Sequence, residues 1–338
     1  MTPFASSRLF GTARADSLLS RRNNAQLYGF DGDDVLTIYG DGGMIDGGAG
    51  NDVVTAMYGD NWLAGGLGDD SITLRYGSGV IDAGEGADVI TAIYASVTVS
   101  AGAGDDRVTI ADALCKLDAG AGADVLALTR CAAEVHLGAG ADRLTASAGN
   151  CSIYGEDGDD VIAVTTGEYL IEGGAGADRI TASVGNNMLS GGEGDDVITS
   201  ISGCSTLSGG AGADTLVARE SNATLIGGAG ADRMTGGIDN QMFGYDALDG
   251  AADQIFNFVS GEDHLTFSPV ALGLAADAVM NPDLFATGAA SRANGQFVFD
   301  TTSKALVWDA DGTGAGQGTF VATLVGLNSL ASTDIWFV

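Results

Sequence analysis

Large apolar residues return along this chain at a fixed interval. Leu36, Val54, Ile72, Ile90, Val108, Leu126, Leu144, Ile162, Ile180, Ile198, Leu216 and Met234 each stand 18 residues after the last. A second column two residues further on, beginning Ile38, Ala56, Leu74, Ala92 and Ile110, shares their face by the two-residue period of a strand. A third, from Ile45, Leu63, Ile81 and Val99 to Leu225, supplies an opposite wall. Each 18-residue turn is therefore predicted as two short strands facing each other across a thin apolar core. A period kept without insertion from Gly29 to Asp232 predicts a solenoid. Of the two connections in each turn, one is irregular and rich in Gly and Asn, as at Gly149-Asn150, Gly185-Asn186 and Ser221-Asn222.

The other connection repeats a pattern, G-G-x-G-x-D-x-U-x with U a large apolar residue, seen at Gly47-Gly48-Ala49-Gly50-Asn51-Asp52-Val53-Val54-Thr55. Its aspartates form a column of their own: Asp34, Asp52, Asp70, Asp88, Asp106, Asp124, Asp142, Asp160, Asp178, Asp196, Asp214 and Asp232. Parallel strands stack at about 4.8 Å, so about a dozen turns predict a rod of roughly 60 Å with every carboxylate beneath another. Two unit charges at that distance in water repel by about 0.9 kcal/mol, and eleven neighbouring pairs by on the order of 10 kcal/mol. That rivals the ~5–15 kcal/mol stability of a whole domain. Further acids at Asp33, Asp69, Asp105, Asp159 and Asp195 add to the repulsion. A divalent cation between successive loops relieves it, and hard carboxylate and carbonyl oxygens select calcium.

Composition agrees. The 338 residues include 54 Gly, 3 Pro, and 45 acidic against 14 basic residues, a net charge of -31. Such a surface repels nucleic acid and anionic lipid. The 45% apolar content nonetheless provides a core to bury, so the charge calls for a counter-ion rather than for disorder. No stretch approaches membrane-spanning length, and no transmembrane insertion is expected. Residues 1–20 contain no apolar run of signal-peptide length, so export is expected to use another signal.

At these glycines and aspartates the chain resembles the RTX family of calcium-binding repeat proteins. The resemblance implies an all-β fold, a right-handed parallel β-roll (β-solenoid) with 18-residue turns and a β-rich carboxy-terminal cap. It also implies that the twelve aspartates named above are metal ligands, together with loop carbonyls. Three regions are expected: a degenerate capping turn at 1–28, the calcium-binding roll at 29–243, and a cap with a secretion-signal region at 244–338. Many relatives carry the motif in both halves of each turn. Here only one half does, so a single row of several calcium ions along one edge is expected. Phe30, Ala83, Ala101, Ala119 and Leu137 replace loop glycines, and Glu156-Asp157 replaces a Gly-x pair, so strain is expected wherever φ is positive. The terminal Asp334-Ile335-Trp336-Phe337-Val338 resembles an uncleaved type I secretion signal, and the type I apparatus of a Gram-negative bacterium is the implied export partner.

No enzyme is expected. His136 and His264 are the only histidines, and no H-E-x-x-H, G-x-S-x-G or phosphate-loop motif occurs. Four cysteines at irregular places in their turns outline neither a disulfide framework nor a zinc site, with Cys115 and Cys131 the one candidate pair. Asp309-Ala310-Asp311-Gly312 reads equally as a cation loop or as a hairpin turn. A column of threonines (Thr37, Thr55, Thr73, Thr91, Thr109) and the stacked Tyr58, Tyr76 and Tyr94 are read as ordinary exposed-strand chemistry. The leading reading is a secreted, calcium-folded structural or adhesive protein, extracellular or at the cell surface, that self-associates or attaches to a surface or matrix. A membrane-active secreted effector is the alternative, and an ice-binding protein stands third.

Overall fold

The computed structural model describes residues 8–220, 222–314 and 316–338. The first seven residues of the expected capping turn and Ser221 of the Ser221-Asn222 connection lie outside the described residues. Two compact units divide the chain, Met1–Leu170 and Ile171–Val338.

In the first unit two parallel ladders advance by 18 residues per rung. One runs Ser17↔Val35↔Val53↔Ser71↔Val89↔Arg107↔Val125↔Arg143↔Val161. The facing ladder runs Arg8↔Gln26↔Met44↔Trp62↔Val80↔Thr98↔Lys116↔Glu134↔Ser152. Alternate residues point inward, so Leu36, Val54, Ile72 and Ile90 meet Ile45, Leu63, Ile81 and Val99 with essentially no solvent exposure. Strands need an alternating pattern and β-branched outer residues, and the repeat supplies both in every turn. The all-β parallel solenoid with 18-residue turns is therefore the observed fold.

The second unit continues the same design through Arg179↔Val197↔Thr215↔Arg233 and Met188↔Thr206↔Thr224↔Met242. Its last turns exchange aliphatic for aromatic filling, with Phe243, Phe267, Phe297 and Phe299 fully buried. Antiparallel strands then appear: Gln296–Phe299 pairs with Ala305–Asp309, and Ala305–Asp309 with Thr319–Val325. Thr319–Val325 also lies parallel to Asp253–Phe256, so it covers a ladder edge that would otherwise expose unpaired backbone groups. Ile335–Phe337 forms the last rung on Leu265–Phe267. Asp334, wholly buried, accepts hydrogen bonds from the Ser260 hydroxyl at 2.5 Å and from the backbone N–H groups of Gly261 and Ala331 at 3.0 and 2.9 Å.

Candidate metal centre

The glycines of each loop have different tasks. The second and fourth positions take positive φ, +111° at Gly48 and +131° at Gly50, which only glycine adopts without strain. Phe30 and Glu156 occupy the second position and are held at φ +78° and +73°. Ala83, Ala101, Ala119 and Leu137 stand at the first position, where φ is not positive, and are fully buried. The expectation of backbone strain therefore holds for Phe30 and Glu156 and is corrected for the other four: their side chains point into the core.

Loop closure turns each aspartate inward, where all twelve are at most 2% exposed. One carboxylate oxygen has a fixed partner. Asp52 Oδ1 accepts the backbone N–H of Asp34 at 2.7 Å, Asp70 that of Asp52 at 2.7 Å, and Asp214 that of Asp196 at 2.8 Å. The same bond joins neighbours from Asp16 to Asp160 in the first unit and from Asp178 to Asp253 in the second. The second oxygen differs. At Asp34, Asp52, Asp70, Asp88, Asp106, Asp124, Asp142, Asp196, Asp214 and Asp232, Oδ2 is buried without a hydrogen-bond partner. A buried charged oxygen with no partner is strongly unfavourable, so each position calls for a cation or a proton.

Protonation preferences say the same. Burial, only partly offset by the donated N–H, pushes Asp70, Asp124 and Asp214 up to about 7 and Asp52, Asp106 and Asp232 up to about 6, with neighbouring carboxylates adding to the rise. Asp34, Asp88, Asp142 and Asp196 are raised for the same first cause.

The donor set suits calcium. Asp52 Oδ2 and the Gly65 carbonyl of the next turn converge on the place that a Cβ at Gly47 would occupy, and Asp214 Oδ2 and the Gly227 carbonyl do so at Gly209. The same two kinds of oxygen meet at Gly29, Gly65, Gly173 and Gly191. This cradle, bordered by carboxylate and carbonyl oxygen, is the hard-donor chemistry that calcium takes. At Ala83, Ala101, Ala119 and Leu137 the same loop position carries a Cβ, which leaves less room there. Among the described residues no three His, Cys, Asp or Glu side chains cluster to hold a metal, so backbone oxygens must complete any site.

The adjoining acids take another role. Asp33, Asp69, Asp105 and Asp195 accept the backbone N–H one turn later at 2.9, 2.9, 2.8 and 2.7 Å. They stitch turns together at the surface rather than simply adding repulsion.

Two features escaped the sequence pattern. Asp253 forms the next rung, accepting the Asp232 N–H at 2.9 Å and pushed up to about 6 by burial. A three-residue insertion hides it from an 18-residue count, although its Asp-x-Ile spacing repeats the motif. The opposite edge carries a counterpart column, nine residues after each aspartate. There Asn61 Oδ1 accepts the Gly43 N–H at 2.9 Å, Ser205 Oγ that of Asn187 at 3.3 Å, and Gln241 Oε1 that of Ala223 at 3.1 Å. Neutral side chains thus make the bond that aspartate makes on the loop edge, without charge to compensate. Cys115 and Cys151 lie in this column two turns apart, while Cys131 and Cys204 fall outside it. All four cysteines are free, and burial pushes the Cys115 and Cys151 thiols up to about 12 and 11. The Asp311 carboxylate accepts the Gly316 N–H at 3.0 Å within its own turn. No described helix is long and apolar enough to cross a membrane.

Comparison with known proteins now has a geometry to meet. The RTX calcium-binding nonapeptide repeat matches in four copies, at residues 39–72, 136–168, 170–200 and 206–240. No curated protein matches the chain. Among solved structures, the extracellular lipase LipA from Serratia marcescens aligns at 19% identity and a TM-score of 0.29 over 61% of this chain; the chain spans 40% of that lipase's length. The matched calcium-binding nonapeptide repeats, and the parallel β-solenoid into which they wind, fit an RTX β-roll protein.

Proposed function

We propose that this chain is a secreted, calcium-folded structural or adhesive protein, unfolded during passage through the type I apparatus of a Gram-negative cell and closed outside by calcium. The twelve aspartates from Asp34 to Asp232 would hold the ions in one row, each between successive loops, with loop carbonyls as the remaining ligands. The observation that carries this is the buried Oδ2 atom without a hydrogen-bond partner at ten of them, Asp34 to Asp142 and Asp196 to Asp232. Calcium supplies the positive charge that lets these carboxylates stay ionised in a dry place. The chain's own residues do the rest: Oδ1 ties neighbouring turns by a backbone N–H, the position-two and position-four glycines turn the loop, and Asn61, Ser205 and Gln241 make the corresponding bond at the far edge. The role is mechanical rather than catalytic. His136 lies between Glu134 and Glu156, and His264 packs on Trp336, so both imidazoles serve packing and surface pairing.

Far-ultraviolet circular dichroism against free calcium tests this. Strand signal should be absent in excess chelator and rise cooperatively toward millimolar calcium, because every ion joins two turns. A full strand signal in chelator rules the mechanism out.

A further inference from the structure

The outward sides of the two ladders in the first unit carry opposite charge. On the ladder that follows each buried aspartate, the outward positions hold mostly Val and Thr, and their only charges are Arg21, Arg75, Arg107 and Arg143. In a chain of net charge -31, an outward face without a single acid is a marked departure. The facing ladder presents Asp46, Asp82 and Asp118; its Lys116 and Glu134 neutralise each other at 2.9 Å, and its one further cation, Arg8, lies on the first rung and donates to Gln26 Oε1 at 2.7 Å.

The two sets share a step. Arg107 and Arg143 are separated by one rung, Val125. Asp82 and Asp118 are separated by Ser100, and Asp46 and Asp82 by Ala64. Each charge therefore repeats every second strand, about 9.6 Å at ~4.8 Å per rung. Arg107 and Arg143 are exposed and form no ion pair among the described residues. Both faces are also partly apolar, with Val53 and Val89 on the rungs before Arg107, and Trp62 and Val80 on the facing ladder, each 37–44% exposed.

We propose that the arginine face of one copy docks on the aspartate face of a second copy, charge on charge at the two-turn step, and that the pairing repeats copy after copy. The two faces differ, so the contact is heterologous and leaves a free face of each kind for the next molecule. A soluble polyanion would meet the same arginines but would also meet the acidic remainder of the surface. A second copy brings its own matched spacing and apolar strip. The proposal rests on the calcium-folded reading, since the faces exist only once the turns are stacked.

The test uses the full chain in millimolar calcium, with two double variants of exposed residues: Arg107→Glu with Arg143→Glu, and Asp82→Arg with Asp118→Arg. Sedimentation velocity reads assembly, and circular dichroism reads folding in the same samples. The parent chain should form concentration-dependent oligomers that weaken with salt, each variant alone should associate at least ~10-fold more weakly, and an equimolar mixture should associate again, because reversed arginine faces then meet reversed aspartate faces. A folded parent that stays monomeric, a variant that assembles like the parent, or a mixture that fails to recover overturns the proposal. A chain already folded in chelator that still follows the charge pattern supports it while overturning the calcium reading. A chain without strand signal in calcium overturns both.

Discussion

Two adjacent glycines in one loop separate backbone geometry from ligand space. Gly210 has φ +117°, and a Cβ there would run into the Gly192 carbonyl. Gly209 has ordinary φ, but a Cβ there would take the place where Asp214 Oδ2 and the Gly227 carbonyl converge. Gly210→Ala should therefore cost about 1–3 kcal/mol of backbone strain even in saturating calcium, seen as a lower melting temperature. Gly209→Ala should chiefly raise the calcium midpoint, with more of the stability returning at high calcium. Ala119→Gly should act in the opposite sense and lower the midpoint. Equal effects of the two alanines at both calcium levels would refute the distinction.

Within a ladder, an element is as stable as its neighbours allow. Asp196 sits between Asp178 and Asp214, whereas Asp34 lies one rung from the turn in which Asp16 Oδ2 is already satisfied by the Thr12 N–H at 2.6 Å and hydroxyl at 2.8 Å. Asp196→Ala should raise the calcium midpoint more than Asp34→Ala, because only the worn first turn lies beyond Asp34 and can fray with it, whereas Asp196 joins full turns on both sides. Equal shifts in a calcium titration followed by circular dichroism would count against it. At the other end, Asp334→Ala would strand three donors, the Ser260 hydroxyl and the N–H groups of Gly261 and Ala331. A loss of about 3 kcal/mol is expected from unsatisfied buried donors, readable as a lowered denaturation midpoint in calcium.

Across the whole molecule the buried carboxyls make a pH response with a definite sign. Asp52, Asp70, Asp106, Asp124, Asp214 and Asp232 hold their protons to about 6–7 in the folded chain, against 3.8 for an ordinary aspartate. Over that window the folded state binds more protons than the unfolded state, so without calcium its stability falls as pH rises. Acidifying the chelated protein from pH 8 should therefore recover strand signal between about pH 7 and pH 4. A calcium-free fold that instead gains stability with rising pH would be incompatible with this burial.

Much of this was legible in the chain because a repeat makes local and global information coincide. An apolar residue every 18 positions defines the core face, the length of the turn and the parallel register together, and the Asp column follows in phase. Loop chemistry was legible as glycine content but not glycine by glycine: only the fold shows that Ala83, Ala101, Ala119 and Leu137 face inward while Phe30 and Glu156 bear positive φ. The Asp253 rung was hidden because a three-residue insertion breaks the count but not the hydrogen bond to Asp232. The column of Asn61, Ser205 and Gln241 was hidden because chemically unlike side chains serve one backbone N–H. Periodicity alone determined the solenoid and its acidic edge, because strand stacking needs only a repeated pattern of burial. Which oxygen of each carboxylate is satisfied was decided by the tertiary structure, because it depends on what the neighbouring turn brings within hydrogen-bonding distance.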